Sequence, residues 1–272
     1  MKGLRGIRIF LAVIFFVAAV AYLVIGTSLH PALKFVEKAQ IIPSLLASSM
    51  GAIIVWIVLT FLLGRVYCST VCPVGTFQDI FLRLKWKLKF TRRPFSYRPP
   101  SKIRYYILAI YVFCLLAGMI AVPFWIEPWN IIRNICGAIN PTAETEVWIK
   151  LGVGVSTGVV AGILSGVLLA LCALFTGRGF CTDICPIGTA LGCFYNHTLM
   201  HIEIDPDKCI NCMKCEDVCR SQCVKVAGRY VDNSRCVRCF DCIHVCPNDA
   251  IRFQANRNRR VTPLMQNAGT KA

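Results

Sequence analysis

Charged side chains are scarce in this 272-residue sequence. Asp, Glu, Lys and Arg make up only 16% of it, against about 25% of an average soluble domain. Hydrophobic residues reach 56% and the mean hydropathy is +0.59, whereas about 45–50% hydrophobic residues are usual. This composition excludes an ordinary soluble domain and favours a membrane protein.

Four long stretches contain no charged side chain at all. A helix needs about 20 predominantly apolar residues to cross the hydrocarbon core of a bilayer, and all four are long enough: residues 9–29, 41–64, 105–126 and 151–177. A cleaved signal peptide is the alternative for the first stretch, but its apolar run exceeds the roughly 7–15 residues of such a segment. We therefore predict a mainly α-helical membrane domain, residues 1–199, built as a four-helix transmembrane bundle.

Acidic residues are few as well. The sequence holds 14 Asp and Glu against 30 Lys and Arg, a formal net charge of +16, which could indicate nucleic-acid binding. Most of the positive loop charge, however, lies at the N-terminus and between the second and third apolar stretches, and such loops face the cytoplasm. We expect a multi-pass protein of the bacterial cytoplasmic (inner) membrane, with both termini cytoplasmic, residues 30–40 and 127–150 outside, and no nucleic-acid partner. Its basic residues contact anionic lipid instead.

Cysteine, in contrast, is abundant. The 17 cysteines crowd into short C-x-x-C runs, which suit metal binding better than disulfides. Two runs share the spacing C-x2-C-x2-C-x3-C of bacterial two-cluster ferredoxins, one with Cys209, Cys212, Cys215 and Cys219, the other with Cys236, Cys239, Cys242 and Cys246. Zinc sites do not need this interleaved double run. We therefore predict a small α+β ferredoxin domain with two [4Fe–4S] clusters at residues 200–256, on the cytoplasmic side, followed by a basic, disordered tail at 257–272.

The two runs predict interleaved ligand sets, because the fourth cysteine of each run binds the other cluster. The first cluster takes Cys209, Cys212, Cys215 and Cys246, and the second takes Cys236, Cys239, Cys242 and Cys219. The first run departs from the usual pattern, since Arg220 stands where proline is expected. Cys223 nearby is either an alternative ligand or a packed side chain, which leaves the ligands of the second cluster partly open.

A second motif ends two of the apolar stretches. "YCSTVCPVGT" at 67–76 and "FCTDICPIGT" at 180–189 both read C-x3-C-P-x-G-T. Each copy closes a pair of spans, so the membrane domain is predicted to be two duplicated helical hairpins that bring four cysteines to one leaflet: Cys68, Cys72, Cys181 and Cys185. A third [4Fe–4S] cluster, redox-active thiols and simple packing all remain open for these four.

These features together resemble the NapH-type membrane ferredoxins, with related modules in NosR and in CcoG-like proteins. The resemblance covers residues from about 8 to 255. It implies a quinol dehydrogenase or electron-transfer subunit for a periplasmic reductase. It also implies that the eight ferredoxin cysteines are cluster ligands and that quinone is the substrate.

We therefore expect a membrane-bound iron–sulfur protein that oxidises quinol and passes electrons to a partner redox protein, namely a ferredoxin, cytochrome or reductase. The alternatives are a metal or thiol reductase in cofactor maturation, electron input from a cytoplasmic donor, and a redox sensor. No residue is assigned to quinone binding. The four spans hold no Asp, Glu, Lys, Arg or His, and the candidates lie at their margins: Glu127 outside, and Asp183, His197 and His201 inside.

Overall fold

The computed structural model describes residues 3–25, 36–37, 39–41, 50–87, 95–119, 125–140, 155–194 and 198–255. The part before residue 200 is helical, as expected. Its helices are α1 (Gly3–Ile25), α2 (Met50–Leu63), α3 (Tyr67–Thr70), α4 (Pro73–Lys87), α5 (Ile103–Leu116), α6 (Pro128–Ile139), α7 (Val155–Thr176) and α8 (Pro186–Cys193), with a π turn at Phe180–Ile184 before α8.

Two of the described helices are long and apolar enough to cross a membrane, by length and composition. They cover Gly3–Val24 in α1 and Gly158–Thr176 in α7, and two shorter apolar helices cover Ile54–Leu63 and Ile103–Leu116. The shorter pair falls within the second and third predicted spans, parts of which lie outside the described residues. The described helices thus contain two candidate membrane spans rather than the four that the sequence predicts.

These helices present large apolar side chains outward. Phe10 on α1, Phe113 on α5 and Phe175 on α7 are 66%, 68% and 70% exposed. A soluble protein of this size rarely exposes so much contiguous apolar surface, and such surfaces mark contact with lipid or with another protein.

The helices form two hairpin-like units of similar build. In the first, α1 packs on α3 and α4, and in the second, α5 packs on the π turn and α8. Pro73 and Pro186 occupy the first positions of α4 and α8, where the missing N–H of proline costs no hydrogen bond. The segments that follow the first cysteine of each motif therefore have similar helical packing partners.

Helix α6 was not predicted, since residues 127–150 were expected to form an outer loop. Pro128 starts the helix, and apolar side chains spaced along one face, including Trp129, Ile132 and Cys136, are buried. The helix packs along α7 and also contacts α1 and α4. Polar residues between the apolar ones hid this amphipathic pattern. Residues 141–154 of the expected loop lie outside the described residues.

Glycines of α7 allow α6 to approach closely. A Cβ atom at Gly162 would lie 2.1 Å from the backbone oxygen of Asn134, whereas one at Gly166 would lie 3.4 Å or more from the side chain of Ile135. Close approach at the small residues of the fourth predicted span is thus found at Gly162, whereas a Cβ atom at Gly166 would make ordinary contacts. The partner is α6 rather than another predicted span.

The ferredoxin domain is small and α+β, as predicted. Strand β1 (Met200–Ile204) pairs antiparallel with β4 (Ile251–Ala255), and β2 (Val224–Lys225) with β3 (Tyr230–Val231). Two short helices complete it, α9 (Lys214–Asp217) and α10 (Asp241–Val245). The predicted tail at 257–272 lies outside the described residues.

Replacing Gly162 with alanine should destabilise the protein, because the new methyl group overlaps a backbone oxygen that cannot move by itself. Overpacking of this kind costs about 1–3 kcal/mol. Gly166→Ala is the matched control, since the same methyl group there makes ordinary contacts. The apparent unfolding temperature in detergent should fall for Gly162→Ala and stay close to that of the unaltered protein for Gly166→Ala. Equal values for both variants would contradict the α6–α7 packing.

Candidate metal centres

The structure brings the four cysteines of the duplicated motif together. Cys68, Cys72, Cys181 and Cys185 are each at most 4% exposed and belong to one buried cluster. Thiols from both copies of the motif interact electrostatically: Cys181 with Cys72 and Cys68, and Cys185 with the same two residues. The predicted convergence of the two motifs is therefore found in the fold.

Each motif makes a compact turn around its first cysteine. A Cβ atom at Gly75 would lie 2.2 Å from the backbone oxygen of Cys68, and one at Gly188 would lie 2.3 Å from that of Cys181. Only glycine fits this approach, which explains the glycine two residues after each motif proline. The Cys185 thiol also accepts a hydrogen bond from the Gly188 N–H at 3.4 Å.

Two buried arginines bind the motifs to each other reciprocally. Arg178, three residues before Cys181, donates to the backbone oxygen of Cys68 at 2.8 Å. Arg65, three residues before Cys68, donates to the backbone oxygen of Cys181 at 2.7 Å. The guanidinium of each repeat therefore satisfies the carbonyl of the other, which fixes the relative position of the four thiols.

Sequence analysis missed this pair, although a signal was present. Arg65 was counted only as positive loop charge, and Arg178 was not considered. Both follow a glycine with positive φ, Gly64 at 77° and Gly177 at 71°, where the chain leaves α2 and α7. The full repeat is therefore G-R-x-[YF]-C-x3-C-P-x-G-T.

Asp79 on α4 is a second residue that the sequence did not reveal. Its carboxylate pairs with Arg178 at 2.8 Å, with Arg220 of the ferredoxin domain at 2.7 Å, and with Arg8 of α1. Burial by itself raises the pKa of this carboxyl, but the three positive charges outweigh burial and hold its pKa well below the ordinary value. Asp79 is therefore ionised at every physiological pH.

Arg220 has a structural reason for replacing proline in the ferredoxin run. It is 1% exposed and reaches Asp79 of α4 and Asp241 of α10, the latter at 2.9 Å. Its backbone oxygen accepts a hydrogen bond from the Arg178 N–H at 2.9 Å. The departure from the usual motif is thus an anchor between the two domains.

Buried positive charge is in excess around these contacts. Three buried arginines, Arg8, Arg178 and Arg220, and the partly exposed Arg5 face two carboxylates, Asp79 and Asp241. The guanidinium nitrogens of Arg220 have no well-aligned hydrogen bond within the described part of the chain. A [4Fe–4S] cluster with four thiolates carries about −2 of formal charge when oxidised. The arginines thus leave an unmatched positive charge, which is the sign that a negatively charged cluster beside them requires.

The thiols themselves also fit a metal cluster. Burial raises the pKa of Cys72 to about 12, so this thiol stays neutral unless a metal cation replaces its proton. Coordination to iron deprotonates such a thiol outright. No three His, Cys, Asp or Glu side chains of the described segments converge closely enough to hold a single metal ion.

The first ferredoxin site is open to the surface. The four cysteines predicted as its ligands line one pocket with about 340 Å³ of empty volume, together with Met213 and Pro247. These cysteines are Cys209, Cys212, Cys215 and Cys246. The fold therefore brings Cys246 together with the first run, as interleaving predicts.

The second ferredoxin site is buried. Cys242 interacts electrostatically with the other three predicted ligands, Cys239, Cys236 and Cys219. Cys223, 1% exposed, lies beside them, with its sulfur 3.6 Å from that of Cys219. Five thiols therefore lie at this site, and Cys223 can be either an alternative ligand or a packed side chain.

The second site rests against the four-cysteine site. Val237 belongs to the same buried cluster as the four cysteines, and Cys239 packs against that cluster. Arg178 interacts electrostatically with both Cys181 and Cys239. The order of sites is therefore four-cysteine site, second ferredoxin site, first ferredoxin site at the surface.

The structure changes the position expected for Glu127. Instead of lying at an outer margin, it is 5% exposed and immediately precedes α6. Trp129, two residues further on, belongs to the same buried cluster as the four cysteines. Burial raises the pKa of Glu127 to about 7, against the opposing effects of Arg133 and a hydrogen bond from Asn130.

The other expected candidates lie elsewhere. Asp183 is half-buried in the π turn, and His201 is buried on β1 beside the Thr198 hydroxyl. His197 lies outside the described residues.

Comparison with known proteins supports iron–sulfur binding at both kinds of site. Residues 45–91 and 157–202, which carry the two C-x3-C-P motifs, match a family described as a 4Fe-4S binding domain. Residues 202–225 match a second family with the same description. No solved structure matches the chain.

Named relatives point the same way. YccM of Escherichia coli, which its name assigns provisionally to electron transport, is 26% identical over 70% of this chain and 51% of its own length. The ferredoxin-type protein NapH of Haemophilus influenzae is 28% identical over 62% and 52%. The methylamine utilization ferredoxin-type protein MauN of Methylorubrum extorquens is 27% identical over 62% and 52%.

The chain is therefore similar to the NapH-type 4Fe–4S ferredoxins. The two matched families support the binding of [4Fe–4S] clusters by this chain. The chain spans about half the length of the relatives named above.

Replacing Asp79 with asparagine should destabilise the protein strongly, because three buried guanidinium groups lose their shared counter-charge. Removing one partner of a buried ion pair costs about 3–5 kcal/mol. Asp207→Asn removes the same charge from an exposed turn and serves as the control. Thermal unfolding in detergent should separate the two variants clearly, and similar unfolding temperatures would show that Asp79 does not hold the domains together.

Lowering the pH tests the same contact. The pKa of Asp79 is depressed in the folded protein, so its stabilising effect is present above the ordinary Asp pKa of about 3.9 and is lost only as pH falls through the lower folded value.

Replacing Cys246 with serine should damage the cluster held by Cys209, Cys212 and Cys215, since Cys246 lines the same pocket. Electron paramagnetic resonance of the reduced protein should show loss or alteration of one of the two ferredoxin signals. The matched control is Cys193→Ser, which removes an exposed thiol far from that pocket. Selective loss of the signal that depends on Cys236 and Cys242 would refute the interleaved ligand sets.

Proposed function

We propose that this protein is a membrane-bound electron-transfer subunit that oxidises quinol and relays the electrons to a partner redox protein serving a periplasmic reductase. The observation that carries the proposal is the contact between the four-cysteine site and the second ferredoxin site through Val237 and Cys239. Because each [4Fe–4S] cluster carries one electron at a time, a row of adjacent sites supplies a conduit rather than a reaction centre.

The proposal places three clusters in the chain. Two are in the ferredoxin domain, with the interleaved ligands described above. The third is held by Cys68, Cys72, Cys181 and Cys185, which come from the two segments that match a 4Fe-4S binding family. The excess of buried arginine charge beside these cysteines supports an anionic group there.

The proposal also keeps the four-span topology, with a membrane domain at residues 1–199 and a cytoplasmic ferredoxin domain at 200–256. Support comes from the two long apolar helices and the two shorter ones, from the exposed apolar side chains on α1, α5 and α7, and from the Lys- and Arg-rich loops. The quinone pool is reached from the bilayer.

The partner docks at the first ferredoxin site. Cys212 is exposed there, and the flanking Ile210 and Met213 are 62% and 44% exposed. Exposed apolar side chains around a redox centre suit a transient protein contact, because such interfaces bury little area and release quickly. The buried four-cysteine site lies at the opposite end of the row of sites.

The burial of the four motif thiols disfavours the thiol-reductase alternative. At no more than 4% exposure, they are out of reach of a disulfide in another protein, which would have to approach within bonding distance of one sulfur.

Iron content tests the number of clusters. Anaerobically purified and fully loaded protein should contain about 12 irons per chain, roughly four for each cubane. Cys68→Ser and Cys181→Ser should lower the value to about 8 and remove one spectroscopic signal, whereas Cys193→Ser should leave both unchanged. A value near 8 for the unaltered protein would reject the third cluster.

Stopped-flow absorbance tests the quinone reaction. Protein reduced with dithionite, freed of the excess and mixed with a soluble menaquinone analogue should be reoxidised in a fast, saturable phase. That phase should be lost in Cys68→Ser and retained in Cys193→Ser. Reoxidation no faster than by a mediator that does not resemble a quinone would reject quinol oxidation.

A further inference from the structure

Helix α6 carries an unusual group of buried polar atoms. The Glu127 Oε1, the indole Nε1 of Trp129 and both amide atoms of Asn134 lack a hydrogen-bond partner among the described residues, as does the Tyr111 hydroxyl on neighbouring α5. Buried polar groups are nearly always hydrogen-bonded, and each exception needs an explanation. A carboxylate is the costliest of these groups to leave unpaired.

Glu127 sits close to the four-cysteine site without belonging to it. It interacts electrostatically with Tyr67, the residue before Cys68, and with Tyr111, which also interacts with Cys185. Two tyrosines, one on α3 and one on α5, therefore interact with both this carboxylate and the motif cysteines.

The surroundings of Glu127 balance its charge only in part. Asn130 donates a hydrogen bond to Oε2, and the positive charge of Arg133 on the next turn of α6 favours the ionised form. Tyr67 on α3 and Tyr111 on α5 are the other titratable groups that interact with it. Opposed by burial, these effects leave the carboxyl able to gain or lose a proton near neutral pH.

We propose that Glu127 is a redox-linked proton site, which binds a proton when an electron enters the four-cysteine centre and releases it when the electron leaves. The inference rests on the proposed function, because it requires a redox centre at the four cysteines.

The step balances in charge. One electron and one proton leave the quinol, which becomes a neutral semiquinone and is oxidised to quinone in a second such step; with an added one-electron reductant the proton comes from water. The proton binds to the Glu127 Oε1, so no net charge is added to the buried region. The proton compensates the negative charge, which would otherwise be costly in a region of low dielectric constant.

Infrared difference spectroscopy tests the proposal directly. The spectrum of the reduced minus the oxidised protein should contain a protonated-carboxyl band above 1700 cm⁻¹ that shifts in D₂O. Glu127→Gln should abolish this band, and Glu127→Asp, which keeps a titratable group, should move it. The control Glu203→Gln removes a carboxylate of β1 in the ferredoxin domain and should leave the band unchanged.

The midpoint potential of the four-cysteine centre is the second readout. Above about pH 7, where Glu127 is ionised in the oxidised protein, the potential should fall as pH rises, because reduction then requires proton uptake. Below that pH it should level off. In Glu127→Gln the potential should not depend on pH over the same range, while Glu203→Gln should behave like the unaltered protein.

The outcomes separate this inference from the proposed function. Three clusters with a pH-independent potential and no carboxyl band would overturn the role of Glu127 alone. A carboxyl band or slope that persists in Glu127→Gln would overturn it as well. An iron content near that of two cubanes and no third signal would overturn both proposals.

Discussion

The reciprocal bonds of Arg65 and Arg178 are the constraint on which the rest of the structure depends. Each guanidinium leaves its own repeat and donates to the carbonyl of the first motif cysteine in the other repeat. A single chain thereby ties two distant segments into one buried cluster of four thiols. Since hydrogen bonds from charged donors are roughly twice as strong as neutral ones, these two contacts restrain the positions of the four thiols strongly.

The scarcity of acidic residues gives Asp79 its importance. One carboxylate serves arginines from α1, from the second repeat and from the ferredoxin domain, so it joins three parts of the chain at one point. Buried ion pairs add little to net stability, but losing one partner is costly. These pairs leave a residual positive charge beside the cysteine sites. Iron bound by thiolates there would supply the matching negative charge.

Much of the architecture could be predicted from local patterns. The doubled ferredoxin run gave an α+β domain and the grouping of Cys246 with the first run, because ligand spacing is dictated by the cluster. The paired C-x3-C-P motifs predicted that four cysteines meet. The reach of Arg178 to Cys68, and of Arg220 to Asp79, could not be predicted, because contacts between residues about 110 and 140 positions apart leave no trace in spacing. Glu127 was misplaced because α6 mixes polar residues into an apolar face, and its burial depends on packing against α7.

The two repeats differ at one position that decides how the ferredoxin domain sits. Gly192 occupies the place in the second motif that Asp79 occupies in the first, and a Cβ atom there would lie 2.6 Å from the backbone oxygen of Ser234, which accepts a hydrogen bond from Arg65. Two identical repeats would offer the ferredoxin domain two equivalent binding positions, one on each repeat. Because the first repeat presents the Asp79 carboxylate and the second presents the backbone of Gly192, the ferredoxin domain binds in one orientation. The duplicated part of the chain is therefore asymmetric where the ferredoxin domain binds, and the row of cysteine sites ends on one defined side of it.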